Sequence, residues 1–237
     1  MLQLATERKL SLDDPLSKYE PQVPNSSNIT VRMLLAHTSG LFSYTEDAGF
    51  QKAIETDPLK TWTPDELVNI GTSHPPYFAP GSSFAYDNTA YILAGQIIEK
   101  VTGNAYAAEV KKRIIDKLAL KHTYMPAGLD MTGKYSHGYT YDLGGGLKDI
   151  TRQQVATWGW SAGGLVSDLA DLRVCAKVVA TGELLTPAMR KEFFGWIPMA
   201  TKPGTPPSAF SGLGVGKVFG GLHAITGWPV SSRPAAR

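Results

Sequence analysis

Cysteine is almost absent from this sequence: Cys175 is the only one in 237 residues. That excludes an intrachain disulfide framework and any zinc site built from several thiolates. An excess of charge of one sign is missing as well. Lys and Arg total 23 against 21 Asp and Glu, a formal net charge of +2. With no Lys/Arg-rich run beside it, this balance gives no reason to expect nucleic acid as a partner. No apolar stretch reaches the roughly 18–20 residues of a membrane span. Met1 to Lys9 lacks the basic-then-apolar order of a secretory signal, so the compartment stays open. Internal repeats and low-complexity tracts are lacking too. What is present, 43% hydrophobic and 19% charged residues, is the make-up of an ordinary globular chain, long enough for one large core or two small ones.

Glycine (24) and proline (16) are spread through the chain as punctuation. Met1 to Leu10 reads as the second half of a helix with nothing to cap its start, which hints at earlier turns. Asp14-Pro15 reads as a cap followed by a first helical residue. Thr30 opens a short helix, Val31 to Ala36, that Gly40 closes, and Thr63-Pro64 opens another to about Ser73. A turn-rich loop, His74 to Asn88, feeds an amphipathic helix whose Ile92, Leu93, Ile97, Ile98 and Val101 recur at helical spacing. Gly103 is its natural stop, and a further helix spans Ala105 to Leu118. Tyr135, His137, Tyr139 and Tyr141 alternate as in extended chain. Ser167 caps a helix from Asp168 to Ala180 ended by Gly182, and Thr186-Pro187 opens a shorter one. Phe210 to Val218 and Leu222 to Thr226 flank Gly220-Gly221, a hairpin signal. Many helices and few, late strands make an α+β fold with a helical majority.

Tyr86-Asp87-Asn88 is the tripeptide richest in chemistry. In extended chain, side chains two apart share a face, so Tyr86 and Asn88 face one cleft and Asp87 points away. A phenol can shuttle protons if a nearby ammonium lowers its pKa from about 10. A carboxamide both donates and accepts, and so can orient a lysine and a substrate amide together. The alternative is architectural, with Asn88 capping a helix that begins at Thr89 and Tyr86 filling the core.

Longer segments carry more information. Pro80 to Gly103, with Tyr86-Asp87-Asn88 inside it, resembles the Tyr-x-Asn segment of the serine β-lactamase/penicillin-binding family, in its class C and D-Ala-D-Ala carboxypeptidase branch. Ile29 to Leu41, containing His37-Thr38-Ser39-Gly40, resembles a second hallmark of that family, and Ser161 to Ser167 with Asp171-Leu172 a third. Leu10-Ser11-Leu12-Asp13-Asp14-Pro15 resembles the text that follows the nucleophile helix. The matches run in order over nearly the whole chain. They imply a β-lactamase/transpeptidase-like fold, a helical domain beside an antiparallel sheet flanked by helices. They also imply acyl transfer through a serine, with Tyr86 and Asn88 as the proton-transfer and positioning groups. On that reading residues 1–237 form one partial domain, helical over about 12–185 and contributing a sheet hairpin over about 208–227.

The pattern is departed from twice. No serine in the chain has a lysine three residues on, although the family's nucleophile and base are a Ser-x-x-Lys pair. Thr6 and Lys9 have the spacing but a threonine. By the match at Leu10 to Pro15, the serine belongs roughly ten residues before Met1, about three helical turns. The expectation is therefore a truncated copy, without the first strands of its sheet. The second departure is in the strand that lines the third side of the site. Thr226 and Gly227 fall where that motif's last two residues belong and are the candidate substrate-binding residues, but Ile225 holds the place of the expected His or Lys. His223 comes two residues early. After Trp228 the text ceases to resemble the family, as a frameshift or premature end would produce.

Several other patterns compete. Gly159-Trp160-Ser161-Ala162-Gly163 matches the nucleophile elbow of α/β-hydrolases, and Asp168 or Asp171 and then His223 follow in that fold's chain order. An elbow needs a buried strand directly before the serine, whereas Thr151 to Thr157 contains Arg152, Gln153 and Gln154. Gly144-Gly145-Gly146 has no helix directly behind it to make an anion cradle. The five histidines, His37, His74, His122, His137 and His223, show no metal-ligand spacing, and neither metal nor cofactor is expected. His37 is read as structural, and Cys175 as part of a buried stripe with Leu169, Leu172 and Val179. The resemblance implies a small-molecule or peptide substrate: a D-Ala-D-Ala peptide, a β-lactam or an ester. It also implies a periplasmic or secreted location. The rival function is a non-catalytic fragment or binding descendant that keeps part of a cleft.

Overall fold

The computed structural model describes residues 1–141, 146–152, 156–199, 209–218 and 221–224. Its organising element is helix α5, Asn88–Thr102, which buries Ile92, Leu93, Ala94 and Ile97 on the side predicted by their spacing. Asp87 caps its N-terminus by accepting from the Ala90 amide, and Gly103 ends it at φ +69°. Against α5 pack α2, Val31–Leu35, and α4, Pro64–Thr72. Thr63 and Glu66 close a capping box at the start of α4, with proline in the first turn. Helix α3, Ala48–Thr56, begins at Asp47, whose carboxylate accepts from Phe50 N–H.

The N-terminal helix α1, Leu2–Thr6, is shorter than the expected run to Leu10. Arg8 adopts φ +57°, and the Lys9 amide reaches back to the Leu4 carbonyl at 3.0 Å, which terminates the helix. Asp14 does not cap a helix. Its carboxylate instead gathers the Ser11 amide, the Lys18 ammonium and the Tyr19 hydroxyl, and only a 3₁₀ turn, Leu16–Lys18, follows. Helix α6, Tyr106–Val110, runs into a π turn, Lys111–Ile115. Arg113 on that turn bridges Glu7 below α1 to Glu109 on α6.

Strands are few and late among the described residues. Tyr139–Thr140 (β1) pairs with Lys148–Asp149 (β2) in a short antiparallel ladder. After α7, Leu169–Thr181, and α8, Pro187–Phe193, comes an antiparallel sheet in the order β3-β4-β5-β6: Ile197–Pro198, Ala209–Ser211, Val215–Val218 and Gly221–Ala224. The hairpin predicted around Gly220-Gly221 is the β5–β6 pair, in which Gly216 lies opposite His223. The α+β character read from the sequence is the architecture found.

Helix α7 departs from expectation in two ways. Its cap is Asp168, not Ser167. Its apolar stripe is not sealed, for Leu169 is 85% exposed and Leu172 49%. Leu172, Cys175 and Val179 face an open cavity instead of a packed neighbour. Periodicity gave the face of this helix but not its cover.

Candidate active site

The segment before α5 is stitched to the chain that leaves α2. The amides of Tyr77, Gly81 and Ala85 donate to the carbonyls of Gly40, Thr38 and His37 at 2.8, 2.8 and 3.1 Å. The two strands of backbone come so close at Gly40 (φ +77°) that a β-carbon there would stand 2.1 Å from the Phe78 carbonyl oxygen. Only glycine fits that approach.

This stitching delivers Tyr86, Asp87 and Asn88 in three directions. Tyr86 is half-buried on the wall of a cavity of about 570 Å³, whose lining is largely apolar and includes Leu35, Tyr91, Ile98, Trp160 and Met1. Asn88 is the first residue of α5. Its backbone N–H donates to Ser43 Oγ at 3.1 Å and its Nδ2 to Thr45 Oγ1 at 3.0 Å, with the two hydroxyls themselves 3.0 Å apart. Asn88 is not among the residues lining the cavity. Asp87 turns into the body of the protein, 1% exposed, where it accepts from Ala90 N–H and from Ser39 Oγ, each at 3.1 Å. The cap of α5 is therefore Asp87 and not Asn88, and the middle residue of the tripeptide is a buried carboxyl group. Burial pushes Asp87 up to about 7, against its hydrogen bonds.

His37 sits beside this group, 2% exposed, with burial pushing its imidazole down to about 4. Its Nδ1 accepts from the Asp87 amide at 3.2 Å. Its ring centroid lies 4.6 Å from Tyr86 and 4.8 Å from Tyr91. The sequence reading had marked neither His37 nor Asp87 as belonging to the site. Ser39, Ser43 and Thr45 were missed as well, because 40 to 50 residues of chain separate them from the partners they hold. The candidate substrate-binding residues Thr226 and Gly227 lie outside the described residues, as does Ile225.

Ser161 is placed as an architectural residue. It lies in a 3₁₀ turn, Trp160–Ala162, that follows another turn and no strand, and its hydroxyl donates to the Tyr91 carbonyl at 2.9 Å. A β-carbon on Gly95 would collide with it at 2.3 Å, so α5 and this turn meet in close contact. The nucleophile-elbow geometry is absent here. Among the described residues one group of metal-ligand type does assemble, His122 with Asp168 and Asp171, its ligand atoms within 4.8 Å of one another. Asp171 already accepts from the amides of Lys121 and His122 and from Thr123 Oγ1, and Asp168 caps α7. These carboxylates tie the 121–123 loop to the helix start. No helix of the described chain is long and apolar enough to cross a membrane.

Comparison with known proteins agrees with this architecture. A D-stereospecific amidohydrolase from Streptomyces sp. superposes with a TM-score of 0.84 and 36% identity, over 92% of this chain and 66% of that one. Penicillin-binding protein 4* of Bacillus subtilis (strain 168) is 31% identical over 56% of this chain and 30% of its own length. Teichoic acid D-alanine hydrolase of Staphylococcus aureus is 26% identical over 85% of this chain and 45% of its own length. The chain thus spans less than half the length of these two curated relatives. The family model described as Beta-lactamase matches residues 1–228. By its fold, the order of its segments and that match, this chain belongs to the Beta-lactamase family.

Proposed function

We propose that the protein is a serine hydrolase of the β-lactamase/D-Ala-D-Ala carboxypeptidase type, in which Tyr86 on the cavity wall carries the proton and Asn88, held by Ser43 and Thr45, fixes the helix start behind it. The observation that carries this reading is the Tyr86 phenol on the wall of a largely apolar cavity of about 570 Å³. The relatives support a hydrolytic reading, since one is named a D-stereospecific amidohydrolase and another a teichoic acid D-alanine hydrolase. The substrate class is accordingly a D-aminoacyl peptide, amide or ester, or a β-lactam, whose strained amide the same attack opens.

In the reaction a serine oxygen adds to the substrate carbonyl while its proton passes to the Tyr86 phenolate. The phenol then returns that proton to the leaving amine or alkoxide as the C–N or C–O bond breaks. Water hydrolyses the acyl-enzyme by the reverse sequence of transfers. A free phenol, with a pKa near 10, needs a neighbouring ammonium to be ionised at neutral pH. The 237 residues hold no Ser-x-x-Lys pair. Helix α1 starts beside the cavity, and Met1 lines it. The reading requires a serine–lysine pair facing Tyr86, which these 237 residues do not contain at that spacing.

A fluorescent penicillin tests the proposal. The chain extended upstream to include a serine–lysine pair is expected to be labelled covalently, and Tyr86→Phe to lower the labelling rate by about two or more orders of magnitude with an unchanged melting temperature. Equal labelling of Tyr86→Phe would refute the role given to the phenol. The missing pair also favours a second reading, a non-catalytic descendant that binds without acylation. Reversible binding of D-alanyl amides with no covalent adduct in the extended chain would establish that reading instead.

A further inference from the structure

We propose that His37 is the positioning residue of Tyr86, a neutral imidazole protonated at Nε2 that holds the phenol between two backbone hydrogen bonds and a ring contact. This rests on the catalytic reading of Tyr86 for its functional meaning, while the clamp itself stands on geometry. Helix α2 ends in a Schellman turn, with the Thr38 amide donating to the Met33 carbonyl at 3.0 Å and His37 as the left-handed residue at φ +58°. Glycine is the usual occupant of that position, and a buried, β-substituted residue there is strained. The left-handed turn puts the residue where it serves the neighbouring segment at three points. Its carbonyl accepts from Ala85 N–H at 3.1 Å, and its Nδ1 accepts from Asp87 N–H at 3.2 Å. These two amides flank Tyr86 in sequence. Between them the imidazole lies against the Tyr86 ring, centroids 4.6 Å apart and planes tilted by 36°, with Tyr91 stacked at 4.8 Å.

The tautomer follows from the donor's direction. An amide N–H donates to Nδ1, so Nδ1 is unprotonated and the neutral ring carries its proton on Nε2. That Nε2 is buried with no hydrogen-bond partner among the described residues, and His37 lines the cavity. A buried donor left unpaired is costly in a folded chain. The groups facing the imidazole are Tyr86, Tyr91 and Phe84 by ring contact and Asp87 through its amide. No cation is among them, and burial keeps the ring neutral through the neutral pH range.

Long-range proton–nitrogen spectra of the ¹⁵N-labelled chain read this directly. The expected result is a pyridine-type Nδ1 and a pyrrole-type Nε2 for His37, both unchanged from pH 7 to pH 5. A proton on Nδ1, or a titration near the ordinary histidine value of about 6.5, would overturn the proposal. His37→Phe supplies the second measurement, because it keeps a ring in place and removes only the acceptor. The Asp87 amide is expected to exchange with solvent about tenfold or more faster, and the Tyr86 ring signals to move, while those of Tyr77 stay. Unchanged Asp87 exchange and Tyr86 signals in the folded variant would reduce His37 to a space-filler. If the variant does not fold, the tautomer and titration of the unaltered protein decide. Failure of penicillin labelling counts against the proposed reaction and leaves these spectra to judge the clamp.

Discussion

Replacing Asp87 by asparagine should change how stability depends on pH far more than it changes the fold. Asparagine has the same shape, caps helices as well as aspartate does, and keeps an oxygen for the Ala90 amide. The Ser39 hydroxyl, which donates to the other carboxyl oxygen, can rotate to accept from the new amide instead. What the variant loses is a titration. Burial raises Asp87 from 3.8 to about 7 in the folded chain. The folded state therefore holds a proton that the unfolded state has released between roughly pH 4 and 7. The stability contributed by that proton is fully present below pH 4 and is lost as the pH rises through 7. At about 1.4 kcal/mol for each pKa unit, a shift of some three units amounts to about 4 kcal/mol. His37 works in the opposite sense. Its folded value of about 4 lies below its ordinary 6.5, so its contribution is present above pH 6.5 and is lost as the pH falls toward 4. In the unaltered chain the two slopes offset one another over about pH 4 to 6.5. Asp87→Asn removes one of them. Urea unfolding followed by tryptophan fluorescence from pH 4.5 to 7.5 measures both proteins. The stability of the variant minus that of the unaltered chain should climb by about 3 kcal/mol between pH 4.5 and 7.5. The Met1 amine and the surface carboxylates are common to both and drop out of this difference. A difference that is flat or falls with pH would refute the assignment of a buried, protonated Asp87.

Gly40→Ala should destabilise the chain by at least about 2 kcal/mol, because its β-carbon would meet the Phe78 carbonyl at 2.1 Å and its φ is +77°; a neutral effect in urea unfolding would contradict the described stitching of the two segments. Leu93→Ala empties a fully buried place in α5 and should cost about 2–5 kcal/mol, read from the same unfolding curves. Arg113→Met strands the buried Glu109 carboxylate and frees Glu7, for an expected loss of about 3 kcal/mol. Adding Glu109→Gln should recover part of that loss, and strictly additive losses would show that the pair does not interact.

Local signals were legible wherever a residue acts on its own neighbourhood. Thr63, Thr186, Gly103 and Gly182 were readable as helix boundaries because a cap needs only a short polar side chain or a left-handed residue at one place. The buried face of α5 was readable because its apolar residues recur at the period of the helix. The end of α2 was misread. Gly40 carries the residue type that ends helices, yet His37 takes the left-handed position, since its ring is held by Tyr86 and Tyr91 from far along the chain. The elements whose side chains meet only after folding stayed hidden for the same reason, as with the knot of His122, Asp168 and Asp171.

The sequence by itself determined the family, the helical majority, the period of each helix and the absence of a serine–lysine pair, because these depend on residue order and on contacts a few positions apart. Only the tertiary structure decided that Asp87 turns inward while Tyr86 reaches the cavity, and that His37 stands between them. Those directions are set by two amides and a ring brought together across about fifty residues, an arrangement no local spacing encodes. The stripe on α7 makes the same point: its pattern specifies an apolar face, and packing alone settles what that face meets.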